Sequence, residues 1–355
     1  MDRRTPRSFH RLLCAIGVAA LSLSGCGFIT GEQASSGEDV AAASECSDTT
    51  LRLATIRAEE DPTTVAAQSF ADGMSEATDG QVTVQVFANS QLGDANDIFA
   101  GMASGQDVDV FYEGISLYPT LDGASAFTVV SVPFLWDSYD QMRAVLESDR
   151  YQTLLDEAAE ATGVRVVATA GDAEPRALSA NRPIPTADDM AGLKLRIADA
   201  PMPQEFARAL GAEPQVVPLS DLYLALRQGV VDGQENGAIT MVNQSLTEVQ
   251  PYYMPTDYIR DVRSWYFSDR VWGSMCTEHR DAVLEQAELA GEVATEEVAT
   301  QIVEAMTTLE QDIEVVEPDV ESFRAGLEGV FEKFDGDLWP EGLLEETRQL
   351  AAENA

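Results

Sequence analysis

Apolar positions along this chain recur with two periods. LRLATIR (51–57) and VTVQVFA (82–88) run apolar or alternate as half-buried strands do. Between them Val65, Ala66, Phe70 and Met74 fall at helical spacing, Pro62 suits a first helical turn, and Gly80 ends the pattern. The three segments predict a β-α-β unit, which crosses over right-handed into a parallel sheet. DANDIFAGMASG then reads as a helix and DVDVFY (107–112) as a strand. VRVVATA (164–170) is a further strand behind a helix around 150–161.

A second run of the same kind begins near Arg176. It comprises strand LKLRIAD (193–199), helix MPQEFARAL (202–210), short strand EPQVV, a helix over 220–228 and strand GVVD. Ser220 is placed to cap that last helix, Asp221 favours its positive end, and Gly229 can close it. Leu219 and Leu224 occupy the two staple positions. Residues 278–314 predict one long acidic helix, and 319–335 and 339–351 two closing helices. The expected fold class is α/β with two lobes: 50–172 with about 262–301, and 173–261 with about 302–355. In such sheets ligands bind at the carboxyl ends of strands.

The N-terminus belongs to neither lobe. Arg3, Arg4, Arg7 and Arg11 precede LLCAIGVAALSLSG, an apolar run too short to span a membrane comfortably, so 1–25 reads as an export signal. Its end, Leu23-Ser24-Gly25-Cys26, resembles the bacterial lipobox, which implies a diacylated Cys26 as mature N-terminus. The plainer alternative is an ordinary secretory signal. Residues 26–49 are rich in Gly, Ser, Ala and acids and read as a flexible tether.

Charge and residue counts narrow the chemistry. The 355 residues carry a formal charge of −39. Without residues 1–25, which hold four Arg and one Asp, 18 basic residues face 60 acidic ones, a balance of −42. That surface repels nucleic acid and anionic lipid. Of the four Cys, Cys46 and Cys276 remain once Cys14 leaves with the signal and Cys26 takes lipid. An exported chain allows them to pair, and sequence leaves the pairing open. His279 is the one His outside the signal and reads as a solvated helix residue. A Ser-His-Asp arrangement could form only through it, and no multi-His metal site, Walker A loop or dinucleotide GxGxxG is present. No catalytic residue, cofactor or metal is expected, and binding is favoured over catalysis.

The run GLKLRIADAPMPQEFARALGAEPQVVPLSDLYLALRQGVVDGQENG resembles the signature region of the substrate-binding proteins of TRAP transporters, the DctP-type family. FANSQLGD (87–94), VPFLWDSYDQM (132–142), SANRPI (179–184) and TEVQPYY (247–253) match in the same order, so the resemblance covers the chain from residue 51 onward. It implies an exported receptor that hands organic acids to a membrane permease, with two lobes closing on the ligand and a long helix spanning both. By this resemblance Arg196 forms a two-pronged salt bridge with the ligand carboxylate, Arg176 is a second ligand arginine, and Asn236 bonds the same carboxylate. Glu113 lies near a polar ligand-contacting position, with the local spacing shifted. Two departures stand out: Leu219 replaces an aromatic residue, and Gly237 replaces a common Pro and should loosen the turn. The resemblance leaves open C4-dicarboxylates, uronates, keto acids, sialic acids and ectoine-type zwitterions.

Arginine suits this task because its planar fork matches two carboxylate oxygens and stays charged. From residues alone, Arg196 reads rather as pairing with Asp199 or Glu205 in a structural salt bridge, and Asn236 as a plain turn residue. Asp232 and Glu235 should be structural, holding backbone or a neighbouring arginine. Tyr112, Trp136, Tyr223 and Tyr258 are uncommitted aromatics. The rival functions are a carboxylate receptor for an ABC permease or sensor kinase, and a carboxylate-based enzyme acting on organic acids.

Overall fold

The computed structural model describes residues 46–355; the signal, Cys26 and most of the tether lie outside them. Two mixed sheets organise the chain. In the first, β1 (Thr49–Ala54) leads through α1 (Pro62–Ala77) to β2 (Val82–Phe87), and the strands pair in parallel as the apolar pattern predicts. Asp61 caps α1 by accepting the Thr63 N–H at 2.9 Å, with Pro62 at the first turn. Helix α2 (Ala95–Ser104) leads to β3 (Val110–Gly114), which also pairs parallel to β1. Two 3-10 turns (Ile115–Thr120 and Ser125–Ser131) and helices α3 (Tyr139–Leu146) and α4 (Asp149–Thr162) precede β4 (Val164–Asp172).

The chain crosses to the second sheet at Ala173–Pro175. There β5 (Arg176–Ala180), β6 (Lys194–Ile197), α5 (Pro201–Ala209), β7 (Glu213–Val216), α6 (Leu222–Arg227), β8 (Gly233–Gln234), α7 (Ala238–Asn243) and β9 (Tyr252–Ile259) follow. It crosses back at Arg260–Asp261 into β10 (Val262–Ser268), which runs antiparallel between β3 and β4. The first sheet has the order β2-β1-β3-β10-β4. After α8 (Asp269–Ser274) comes α9 (Thr277–Asp312), a single helix of 36 residues, about 54 Å long at 1.5 Å per residue. It packs on α1 and β4 of the first sheet and on α7 of the second, so one rod spans both. Gly291 permits this: a Cβ there would lie 2.5 Å from Ala170 Cβ and 2.7 Å from its backbone. Then β11 (Glu314–Val315) completes the second sheet, β11-β9-β5-β8-β6-β7.

Helix α10 (Val320–Gly326) is shorter than the expected 319–335, because Gly329 (φ 71°) turns the chain before a 3-10 turn at Glu332–Phe334. The last helix, α11 (Leu343–Glu353), does not stay with the second sheet as the expected lobe II would have it. It lies on α3 and α4, where Gln141 donates to Ala351 O at 2.9 Å and the Tyr151 and Thr347 hydroxyls meet at 2.7 Å. At the other end Cys46 and Cys276 are joined by a disulfide, their Cα atoms 5.2 Å apart. It ties the start of α9 to the segment before β1; in the first turn of α9, His279 is buried beside Gln81 Oε1 at 3.0 Å rather than solvated.

Two smaller expectations change. Ser220 does not cap α6: Pro218 leads into a 3-10 turn, Leu219–Asp221, and no side chain caps the helix. The strand read at GVVD starts later, at Gly233, because Val230 N–H still bonds back to Ala225 O and Val231 tucks into the apolar cluster under α6. The strands β5, β9 and β10 carry no clear apolar alternation in sequence, although all seven residues of β10 are buried.

Candidate functional site

Strand pleating sends alternate side chains of β6 to opposite faces. Leu195 and Ile197 join Met202 and Phe206 in the core, and Arg196 lines a cavity on the other side. Arg196 is 3% exposed, and among the described residues its side chain makes one hydrogen bond, from Nε to Val217 O at 2.8 Å. Among the described residues neither Nη has an acceptor. Asp199 accepts instead from Asn96, and Glu205 from Arg208 and Lys333, so neither suggested salt bridge to Arg196 forms. Burial pushes the Arg196 guanidinium down to about 10, with Arg176 and Arg57 adding repulsion against the pull of Glu235. A buried cation short of counter-charge is costly, and an anion beside it would offset that cost.

Arg176, at the start of β5, is placed nearby but differently paired. Its Nε and Nη2 each donate to Glu235 at 2.5 Å, and Tyr258 Oη donates to the same carboxylate at 2.6 Å. Burial works against the charged form of Arg176, yet Glu235 more than offsets it and keeps it charged. Asn236 is 5% exposed; its Nδ2 donates to Gln234 Oε1 at 2.7 Å and its Oδ1 lies 3.5 Å from Arg176 Nη2. Asp232 fixes the strand entrance by accepting from Asn181 Nδ2 and Lys194 N, both at 3.1 Å.

Glu113 on β3 is fully buried and does not offer its carboxylate to a cleft. It accepts from Arg57 Nε (2.7 Å) and Nη2 (2.8 Å), from Arg263 Nη1, and from Gly114 N at 3.0 Å. Burial alone would raise its carboxyl, but Arg263 and Arg57 outweigh that and hold it at about 2. Glu113 thus positions two arginines. Sequence reasoning passed over both. Arg57 had a signal, since it follows β1 at the carboxyl end of a strand in a β-α-β unit. Arg263 had none, because its strand was not legible.

The crossing segments add buried acids. Asp261 accepts from Ser116 Oγ at 2.6 Å and Ser116 N at 3.2 Å, and burial raises its carboxyl. Glu174 accepts from Ile239 N at 2.6 Å and from Thr240, and burial raises it too. Gly237 makes that cap possible: a Cβ there would lie 2.5 Å from Glu174 Oε2 and 2.6 Å from Pro175 O. Its effect is close packing of the turn against the crossing segment, not the loosening expected from the missing Pro.

Two cavities flank the arginines. One of about 10 Å³ lies among Arg57, Arg176, Asn236 and Arg263, room for about one water. The other, about 80 Å³, lies beside Arg196 and is walled by both sheets' loops, including Ile56, Asn96 and Leu117 from one side and Val217 and Leu219 from the other. Asn96 Nδ2 reaches Asp199 Oδ2 across it at 3.1 Å. The uncommitted aromatics stay out of both cavities. Tyr112 stacks on Trp265 at 3.9 Å, Trp136 donates to Val130 O, and Tyr223 donates to Glu248. Tyr258 stacks on Phe206 and braces Glu235.

Two sheets joined by crossing segments, spanned by one helix and enclosing an arginine cluster, define a two-lobed solute-binding protein. The family model for bacterial extracellular solute-binding protein, family 7 (DctP), matches residues 53–337. The chain belongs to that family, the substrate-binding proteins of TRAP transporters, which are receptors rather than enzymes. It is similar to the sialic acid-binding periplasmic protein SiaP of Vibrio cholerae, 28% identical over 77% of this chain and 84% of that one. It is 31% identical to a solute-binding protein of Roseobacter denitrificans over 68% of this chain and 73% of that one. The crystal structure of a TRAP periplasmic solute-binding protein from Roseobacter denitrificans, with bound L-galactonate, superposes with a TM-score of 0.79 at 26% identity, covering 86% of this chain and 99% of that one. A sugar acid-binding protein of Advenella mimigardefordensis, in complex with galactonate, shares the fold with a TM-score of 0.81 at 23% identity, over 88% of this chain and 100% of that one.

Proposed function

We propose that this receptor captures a small organic acid by seating its carboxylate on Arg196, closing the two lobes around it, and presenting the closed complex to a TRAP permease. The observation that carries the reading is the buried Arg196 side chain, tied by Nε alone and lining a cavity between the sheets. A carboxylate entering the cleft loses water, and the two free Nη groups replace those bonds in fork geometry. Arg176 and Asn236 stand beside it, and Glu235 with Tyr258 keeps Arg176 in place. Glu113 acts on the ligand only through Arg57 and Arg263.

Lobe I comprises 50–172 and about 262–301 in this reading. Lobe II comprises 173–261 and the chain from about 302, with α11 returning to lobe I. Closure is favoured by contacts that form better in the closed state, and the Asn96–Asp199 bond is one that spans the cleft. The sequence features at 1–26 add that the receptor is exported and held to the membrane by diacylated Cys26, two chains being enough for stable anchoring. Among the described residues no helix is long and apolar enough to cross a membrane. The −42 balance does not forbid an anionic ligand. Surface charge is screened over about 8 Å at physiological salt, whereas Arg196 acts at contact distance.

The test is a thermal-shift screen against a carboxylate panel. A ligand at a hundred times its Kd adds about 2.7 kcal/mol of stability. Arg196→Ala should abolish the shift and leave the unliganded melt close to wild type. A folded Arg196→Ala protein that still responds fully to carboxylates overturns the assignment.

A further inference from the structure

The walls of the Arg196 cavity carry information that the arginine does not. Ile56, Ala95 and Leu117 approach from the first lobe and Val216, Val217 and Leu219 from the second. The polar side chains among them are mostly occupied. Thr120 Oγ1 donates to Leu117 O at 2.7 Å, Asp94 caps α2 by accepting from Asp97 N at 3.0 Å, and Asn96 and Asp199 bond each other. Still unpaired among the described residues are the Arg196 fork, the Ser90 hydroxyl and one oxygen each of Asp94 and Asp199, in a chamber otherwise walled by aliphatic side chains.

We infer that the ligand is a short monocarboxylate with an aliphatic tail, its acid group on Arg196 and its tail between Ile56, Leu117 and Leu219. This rests on the receptor reading above and narrows its substrate class. It also departs from the galactonate bound in the similar structures. A polyhydroxylated acid brings a hydroxyl on nearly every carbon. Those set against Ile56, Leu117, Val217 and Leu219 lose water without gaining a partner, since the chamber's unused acceptors lie elsewhere, as on Ser90, Asp94 and Asp199. An aliphatic tail has no such cost, and each CH₂ taken from water into the chamber contributes about fourfold in affinity. Leu219, standing where relatives carry an aromatic ring, fits the same logic. It gives a flexible apolar wall in place of a flat face for stacking. A second carboxylate on the ligand would meet apolar side chains and the Asp94 and Asp199 carboxylates that line the same cavity.

Isothermal titration with isovalerate, succinate and galactonate tests this, each against the wild type, Ile56→Asn and Arg196→Ala. Isovalerate is expected to bind at least tenfold more tightly than either alternative. Ile56→Asn should cut isovalerate affinity several-fold while keeping a wild-type melt. Arg196→Ala should remove binding of all three. If succinate or galactonate binds the wild type more tightly than isovalerate and still depends on Arg196, the aliphatic-tail inference is wrong and the receptor reading stands. If a carboxylate binds with no dependence on Arg196, the receptor reading itself fails. An Ile56→Asn protein with unchanged isovalerate affinity also overturns the tail's placement.

Discussion

Removing the carboxylate at position 113 should unsettle the site from beneath. Glu113→Gln keeps the shape of the side chain and leaves Arg57 and Arg263, both nearly buried, facing one neutral amide. The arginines hold the Glu113 carboxyl at about 2 instead of about 4.5, a net stabilisation of roughly 3 kcal/mol at 1.36 kcal/mol per decade. That is the low end of the 3–5 kcal/mol typical of breaking a buried ion pair by deleting one partner. For a chain of this size about 2–4 °C is lost per kcal/mol, so the melting temperature should fall by roughly 6–12 °C. The pH dependence follows from the sign. A carboxyl held below its unfolded value stabilises above about pH 4.5 and loses that contribution as pH falls toward about 2. Circular-dichroism melts between pH 2 and 7 should show this slope in the wild type and its reduction in Glu113→Gln. A variant melting within about 2 °C of wild type at pH 7, with the acid slope intact, would refute the reasoning.

Asp172, at the end of β4, is raised to about 6, chiefly by burial, against the pull of the Ala173 N–H, Arg260 and Arg263 and with Asp140 adding repulsion. The folded state therefore holds this proton more tightly than the unfolded chain, and stability should decline as pH rises from about 4 to 6. Asp172→Asn should flatten that segment and add on the order of 2–3 kcal/mol at pH 7, read by denaturant titration; an unchanged pH profile would contradict the burial argument. Asn96→Ala removes the bond across the cleft to Asp199. Ligand release measured by stopped flow should quicken by about two- to tenfold with little change in the unliganded melt, and an unchanged release rate would remove this contact from closure.

The parts of the fold set by local periodicity were readable. The β1-α1-β2 unit and the long α9 helix carry patterns that need no tertiary knowledge. Strand β10 was not readable, because both its faces are covered and buried Arg263 takes its partner, Glu113, from a distant segment. The same reason separates the site residues. Arg196 and Asn236 sit in a contiguous stretch whose spacing carries the family resemblance. Arg57, Arg263 and Tyr258 take their roles from Glu113 and Glu235, more than 20 residues away along the chain. The placement of α11 against α3 and α4 is likewise a long-range result, since an amphipathic helix says that it will pack and not on what.

The contact between Arg196 and the ligand's acid group is tested most directly by a double-mutant cycle across it. Binding of the best carboxylate and of its neutral amide is measured by titration calorimetry to the wild type and to Arg196→Met. A charge-assisted bidentate contact should give a coupling of roughly 1.5–3 kcal/mol. A coupling near zero, with the acid still preferred over the amide by the Met variant, would place the anion on some other group and contradict the account.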